Sequence, residues 1–405
     1  MKDSLVNELF TISPYCIYPP VTGGPKRIFY LNRGLVRSGW NVFQFSGSTK
    51  RDGGLSTLLS KEIEIHPKYT EYKNFNPLMH YFNRILTLTG CPLMGFSLFP
   101  RLLFNPKVLK QKIESHKYIM LEHPYLYKQI KRRINDQQFL ILNAHNIEYK
   151  IYDEKSRGNL VKSWMSKRLF NIEKEAFLRA NISFVCSEED KKIAIDLYSA
   201  NPERVIVAPN GVDVSEFHII SDEERNSAKQ AIGQKGKTIA LFIGSNWQPN
   251  VEAVDEIVKM AKVSKNLHYL VVGGVGQHFK NHHADNITFT GFVDDINLYI
   301  AASDVAINPM VSGSGTNIKM FEYLAAGLPV VSTAFGSRGL TGNNNGAVIS
   351  SSLADFPRSI SVIVNNVEEL LEKRQHARKM AVESYDWTMI ASKMSDVILA
   401  QGKLL

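Results

Sequence analysis

Residues 304–333, DVAINPMVSGSGTNIKMFEYLAAGLPVVST, constrain the fold more than any other stretch of this 405-residue chain. Asp304 to Met310 is a short apolar run of the kind that forms a buried parallel strand, and Gly313 and Gly315 then permit tight or positive-φ turns. A helix is expected at once, capped by Ser314 or Thr316, closed by Gly327 and barred from continuing by Pro329, before a second strand at Val330 to Thr333. Ile318, Phe321, Leu324 and Ala325 recur at helical spacing and would face a sheet, while Lys319, Glu322 and Tyr323 would share a neighbouring face. A strand, a glycine turn and a helix N-terminus outline an anion site, because unpaired backbone N–H groups and the positive end of the helix dipole converge there. Lys319 would add a full charge, and Glu322, one turn further, could accept hydrogen bonds from two adjacent hydroxyls such as those of a ribose. The same residues also suit an ordinary strand, loop and helix whose Lys and Glu are solvated.

Strands and helices alternate along the rest of the chain, as a doubly wound parallel sheet requires. In the first half LFTI (Leu9 to Ile12), NVFQF (Asn41 to Phe45), YIML (Tyr118 to Leu121), FLIL (Phe139 to Leu142), SFVC (Ser183 to Cys186) and VIVA (Val205 to Ala208) read as strands, with a long helix near Trp164 to Arg179. In the second half TIALFIG, YLVVGG, ITFTG, DVAINP and PVVST repeat the pattern. Ligands of open parallel sheets lie beyond the carboxyl ends of the strands. Gly23 and Gly24 follow the first strand, His145 follows FLIL, Gly244 follows TIALFI and the Gly313 loop follows DVAINP. His123, in LEHPYL, is a weaker candidate than His145, because Pro124 marks it as a residue that simply precedes a helix.

Five ordered segments carry a family resemblance: GGPKRIFYLNRGLVRSGWNV (Gly23 to Val42), APNGVDVSEF (Ala208 to Phe217), LFIGSNWQPNVEAV (Leu241 to Val254), TGFVDDINLYIAASDVAINP (Thr290 to Pro309) and the Gly313 to Val331 stretch. Together they resemble the retaining glycosyltransferases of family 4, the glycosyl transferases group 1, which have the GT-B fold. The resemblance implies two Rossmann-like doubly wound parallel-sheet α/β domains facing across a cleft: residues 1–212 for the acceptor, 213–385 for the nucleotide sugar, and a C-terminal helix, 386–405, crossing back onto the first domain. It implies transfer of a sugar from a nucleotide-diphosphate sugar to a saccharide or lipid-linked saccharide acceptor, with retention of configuration, in surface polysaccharide or glycolipid assembly. His145, Lys319 and Glu322 take the catalytic positions, His145 as a hydrogen-bond partner of the transferred sugar near its anomeric carbon. Gly23, Gly24, Gly244, Ser245, Asn246, Phe292, Val293, Ser314, Gly315, Thr316, Asn317 and Arg338 take donor-binding positions. In the front-face displacement pictured for such enzymes, the leaving diphosphate oxygen accepts the acceptor's proton while positive charge develops on the sugar, so catalysis rests on stabilising the diphosphate and aligning the acceptor. No metal and no cofactor beyond the donor substrate is expected. Two departures stand out: Ser314 occupies the place of a common Glu eight positions before Glu322, and GSNWQPN lacks the Arg and Lys pair frequent after the first strand of the second domain. A nucleotide-sugar epimerase of the same architecture and a catalytically silent sugar-nucleotide or membrane-binding homologue are the alternatives. VVGGVG (Val271 to Gly276) lacks the full dinucleotide fingerprint and argues against a nicotinamide dehydrogenase.

The net charge of +9 is unevenly spread: residues 1–205 carry 31 Lys and Arg against 19 Asp and Glu, and the remainder 17 against 20. Such a basic first half suits an anionic membrane surface or a phosphorylated substrate, and no nucleic-acid partner is expected. Leu78 to Phe104 is the most apolar long stretch, but Asn83, Arg84, Pro92, Pro100 and Arg101 prevent a simple membrane span, leaving a buried helix pair or an interfacial segment. Three widely spaced cysteines, Cys16, Cys91 and Cys186, form neither a disulfide framework nor a metal cluster, and MKDSLVNELFTIS is too polar for a signal peptide. A cytoplasmic protein, peripheral on the inner membrane face, is the expectation.

Overall fold

The computed structural model describes residues 7–48, 60–87, 107–156, 158–313, 315–340 and 346–403. The chain divides into two compact units, Met1–Pro209 with Trp387–Leu405, and Asn210–Asp386.

The first unit is built on eight strands: β1 (Asn7–Ser13), β2 (Trp40–Ser48), β3 (Lys61–His66), β4 (Tyr69–Phe75), β5 (Tyr118–Glu122), β6 (Phe139–Asn143), β7 (Ile182–Val185) and β8 (Val205–Val207). Their order is β3-β4-β2-β1-β5-β6-β7-β8, parallel throughout except for the edge strand β3. Only Pro67 and Lys68 separate β3 from β4, and so short a link permits only an antiparallel pair. Alternation along each strand sends its side chains to opposite faces. Phe10 and Ile12, Ile119 and Leu121, and Leu140 and Leu142 pack on one side with Leu169, Ile172 and Phe177 of the helix Leu160–Arg179. Leu9, Met120, Phe139 and Ile141 pack on the other with Ile28, Leu31 and Leu35 of the helix Gly23–Arg37 and with Trp387, Ile390, Met394 and Ile398 of the last helix, Trp387–Gly402. The two helices touch at backbone distance. A Cβ on Gly34 would stand 2.5 Å from the Ala391 methyl and 3.1 Å from the Trp387 carbonyl. Trp40 donates its indole N–H to Ser395 Oγ at 2.8 Å, and Lys117 Nζ reaches the Gly402 carbonyl at 2.9 Å.

The second unit has six parallel strands, β9 (Thr238–Ile243), β10 (Leu267–Val272), β11 (Ile287–Gly291), β12 (Val305–Asn308), β13 (Val330–Ser332) and β14 (Val348–Ser350), ordered β11-β10-β9-β12-β13-β14. Ile239, Leu241, Leu270, Val272 and Ala306 meet Phe321 and Leu324 on one face; Ala240, Phe242, Val271 and Ile307 meet Val254, Ile257, Ile360 and Ile363 on the other.

Each sheet contains one place where the strand order reverses: between β1 and β5 in the first, and between β9 and β12 in the second. Loops leaving the carboxyl ends of such strand pairs diverge to opposite faces and open a crevice, the usual ligand position of an open α/β sheet. Leu78–Phe104, left between two alternatives by its sequence, lies mostly outside the described residues; its start belongs to the helix Pro77–Thr87, where Leu78, Tyr81 and Ile85 are exposed. Among the described residues no helix is long and apolar enough to cross a membrane.

Candidate functional site

At the reversal in the second unit the chain leaves β9 through Gly244, Ser245 and Asn246. Gly244 has no room for a side chain: a Cβ would come 2.9 Å from the Phe242 ring and 3.0 Å from Val275. Asn250, in the first turn of the helix Gln248–Val263, donates to the Ser245 carbonyl at 3.0 Å and to Ser245 Oγ at 3.3 Å, which shapes the loop. Its other amide atom, Oδ1, accepts from Lys319 Nζ at 3.0 Å. The same ammonium stands 3.8 Å over the Phe242 ring. A cation is favoured over a ring face, yet the enclosure costs it solvation. Burial therefore pulls Lys319 down to about 7, with the Glu322 carboxylate opposing the fall. Asn246 turns away from this group and meets His278 Nε2 through Oδ1 at 2.6 Å.

The loop leaving β12 runs beside it. Gly313, at φ 124°, lies so close to the half-exposed Trp247 that a Cβ would come 2.9 Å from the indole. Ser314 lies outside the described residues. Gly315, at φ 67°, offers its carbonyl to Arg338 Nη2 at 2.9 Å, while the guanidinium stacks 3.8 Å over Phe335. The helix that follows is Ile318–Ala325, and its capping differs from expectation. Its N-cap is Asn317, whose side chain caps nothing and donates instead to the Gly336 carbonyl at 3.0 Å. Thr316 is held by Asn210 Nδ2 at 2.5 Å, because its hydroxyl packs against the start of this unit and not over the helix. At the other end Gly327, at φ 71°, donates to Leu324 while Leu328 donates to Tyr323, the paired bonds of a glycine-closed helix terminus. Tyr323 stands one turn after Lys319, as the spacing predicts, and like it reaches the end of β9. It is fully buried, and its hydroxyl accepts the Ile243 N–H at 2.7 Å, tying the helix to the end of β9. Ile318, expected to face the sheet, is only partly buried. Val293 packs on the apolar core, whereas Phe292 is 77% exposed.

In the first unit the reversal between β1 and β5 brings together a buried polar cluster. Gly23 and Gly24 open the helix Gly23–Arg37, and a Cβ on Gly24 would overlap the Tyr15 phenol. That phenol bonds His123 Nε2 at 2.6 Å, and His123 Nδ1 meets Glu148 Oε1 at 2.9 Å. Tyr125 donates to the second Glu148 oxygen at 2.8 Å. Burial pushes Glu148 up, but the hydrogen bond and charge of His123, with hydrogen bonds from Tyr125 and Asn146, outweigh it and hold this carboxyl below its ordinary value. The His145 ring lies 4.1 Å from the His123 ring, centroid to centroid, and its Nε2 meets Glu122 Oε2 at 2.9 Å. Burial first, then the charges of His123 and Arg27, push His145 well below the usual imidazole range. Arg27 reaches Asn143 Oδ1 at 3.1 Å and the Ala208 carbonyl at 2.8 Å.

The spacing thus located His145, Gly24, Gly244, Ser245 and Lys319 beside chemistry-bearing neighbours, but discounted His123 and passed over Tyr15, Arg27, Glu122, Glu148 and Asn250. Pro124 marks His123 as a residue before a helix and gives no sign of its bonds to Tyr15 and Glu148. The residue does precede a short helical turn, Pro124–Leu126, yet it does so at φ 70° and ψ 151°, conformations a non-glycine residue seldom adopts and that cluster at functional sites. Among the described residues no group of three His, Cys, Asp or Glu is arranged to hold a metal ion.

Two parallel-sheet α/β units are the architecture of the GT-B fold, and the comparisons give the class. Residues 21–216 match Glycosyltransferase Family 4 and residues 237–392 match Glycosyl transferases group 1. The chain belongs to this group 1 and family 4 class of glycosyltransferases. An uncharacterized 44.6 kDa protein of the cps region of Klebsiella pneumoniae is 23% identical over 411 residues, spanning 96% of this chain and 98% of that one. Phosphatidyl-myo-inositol mannosyltransferase of Mycobacterium leprae is 29% identical over 206 residues, which is 47% of this chain and about half, 52%, of the mannosyltransferase. The structure of Anabaena HepE in complex with UDP superposes with a TM-score of 0.67 at 16% identity, covering 97% of this chain and 100% of HepE.

Proposed function

We propose that this glycosyltransferase takes a hexose from a nucleotide-diphosphate sugar and passes it, with retention of anomeric configuration and without a bound metal, to a saccharide or lipid-linked saccharide acceptor in cell-surface polysaccharide or glycolipid assembly. The second unit binds the donor and the first the acceptor. The arrangement of Lys319 against Asn250 and Phe242, beside the glycine loop and one helical turn from Glu322, carries the proposal. Lys319 and Arg338 supply the charge for the diphosphate in the absence of the missing Arg and Lys pair, and Glu322 takes the ribose hydroxyls. His145 bonds the transferred sugar near its anomeric carbon. The UDP complex of HepE supports the donor class, and the mannosyltransferase match supports a hexosyl group.

A peripheral membrane site fits the first unit. Leu160 is 92%, Val161 59% and Trp164 54% exposed at the start of one helix. Arg168 sits 5.6 Å over the Trp164 ring, and the charges of Arg168 and Lys131 add to burial in lowering the Lys128 ammonium. An apolar tip beside clustered cations is suited to an anionic lipid surface.

The donor assignment is tested by thermal unfolding with UDP, GDP, ADP, CMP and NAD in turn. Near 100 times the dissociation constant, a ligand stabilises the native state by about 2.7 kcal/mol, a shift of a few degrees. A shift with one nucleoside diphosphate is expected; a shift with NAD alone would overturn the assignment, and no shift at all would favour a silent homologue that binds membrane and no nucleotide.

A further inference from the structure

Among the described residues the His145 ring makes one side-chain hydrogen bond, and that bond uses Nε2. Its partner, Glu122, is itself enclosed. Thr11 Oγ1 on β1 donates to Glu122 Oε1 at 3.1 Å, and Asn143 Nδ2 on β6 donates to Oε2 at 2.8 Å, the oxygen that also faces His145. The charged or titratable neighbours are His123 from the same strand end, Arg27 from the helix Gly23–Arg37, Glu148 and Tyr15 on the far side of His123, Cys186 after β7, whose thiol donates to the His145 carbonyl at 3.2 Å, and Tyr69 on β4.

We propose that Glu122 is a positioning residue for His145: it holds the ring through Nε2, leaves Nδ1 as the atom presented to a sugar hydroxyl, and by its own proton decides whether Nδ1 accepts or donates. This rests on the assignment of His145 to the transferred sugar made above. When Glu122 is ionised, His145 Nε2–H donates to the carboxylate and Nδ1 keeps its lone pair. When Glu122 is protonated, its O–H donates to Nε2 and the ring proton sits on Nδ1. Both forms are neutral imidazoles, and one proton is gained or lost, by Glu122.

The environment supports such a division of labour. Burial raises Glu122 to about 7 against the lowering effects of His123, Arg27, Thr11 and Asn143. His145 is held well below the ordinary imidazole value, so Glu122 titrates while the ring stays uncharged. The His123 ring lies 4.1 Å away, fixed by Tyr15 and Glu148, and adds to burial in disfavouring charge on His145. Because positive charge develops on the sugar during transfer, the form with a lone pair on Nδ1 is the productive one.

The test is histidine nitrogen NMR on the full chain labelled with 15N-histidine, with the His145 signals assigned by their loss in His145→Gln. Between about pH 5.5 and 8.5 the two ring nitrogens of His145 are expected to exchange protonated and unprotonated shifts, with a midpoint near 7 and no imidazolium stage. Glu122→Gln should remove that pH dependence. Thr11→Val, a milder change that deletes one donor to the carboxylate, should move the midpoint upward. In Glu122→Gln, turnover should fall by about one power of ten or more while nucleotide affinity changes by less than about twofold. A ring that keeps its proton on one nitrogen throughout, one that becomes imidazolium near pH 6, or an unaltered profile in both variants would overturn the proposal. Loss of nucleotide binding in the wild-type chain would instead sink the donor assignment, so the two failures are separable.

Discussion

The proposed contact of Lys319 with a diphosphate carries a cost that pH would expose. The Lys319 ammonium is drawn down to about 7 by burial, and a bound diphosphate would return it toward the ordinary lysine value. The sign follows from linkage: binding takes up a proton above pH 7, so affinity is full below that value and weakens as pH rises through it. Between about pH 7.5 and 9.5 the nucleotide dissociation constant should rise by up to about tenfold per unit, and Lys319→Arg, whose guanidinium stays charged, should flatten the slope. A calorimetric titration that finds the same affinity across this range would show that Lys319 does not face the phosphate. His145 invites a different contrast. His145→Ala is expected to lower turnover far more than nucleotide affinity, and equal losses in kinetics and binding would mark the residue as structural. Lys319 and His145 were both legible in the sequence, because each follows the expected strand at its carboxyl end. Their partners were not: Asn250 nears Lys319 through the pairing of β9 with β12, and Glu122 nears His145 through the pairing of β5 with β6, and no local pattern announces either.

At the scale of elements, apolar runs disclosed the strands that are buried on both faces. FLIL and TIALFI became β6 and β9 within a residue or two. What escaped notice is polar. KEIEIH forms β3 at the sheet edge, where alternate residues meet water, and YTEYKNF forms β4 around the buried Glu71, which accepts from Ser46 Oγ and the Ile17 N–H. The helix after the glycine loop was foreseen in place and end, yet its start lies at Ile318 because Thr316 and Asn317 are occupied elsewhere. The pairing of Gly34 with Ala391 carries a prediction at this scale. Gly34→Val would force the Trp387–Gly402 helix away from the helix Gly23–Arg37, and overpacking of this kind costs about 1 to 3 kcal/mol. Thermal unfolding should show a drop of several degrees; an unchanged midpoint would mean that the C-terminal helix contributes little to the first unit.

For the whole molecule, two sheets of parallel topology each place their polar residues at a reversal of strand order, and the positive charge is concentrated in residues 1–205. If the basic half meets membrane, the full chain should co-sediment with vesicles containing anionic lipid and not with neutral ones, and Leu160→Ser with Trp164→Ser should release it without altering the unfolding midpoint by more than about a degree. Co-sedimentation indifferent to these substitutions would place membrane contact elsewhere, and no co-sedimentation with anionic vesicles would exclude it. The central claim is that the glycine loop, Lys319 and Glu322 of the second unit form a nucleoside-diphosphate site. The most direct measurement is the dissociation constant of the stabilising diphosphate for the wild-type chain and for Glu322→Gln. A hydrogen bond to a charged group contributes about 1.5 to 3 kcal/mol, so the variant should bind about one to two powers of ten more weakly with its fold intact. Equal affinity in the two proteins would contradict the assignment of Glu322 to the ribose and, with it, the proposed donor site.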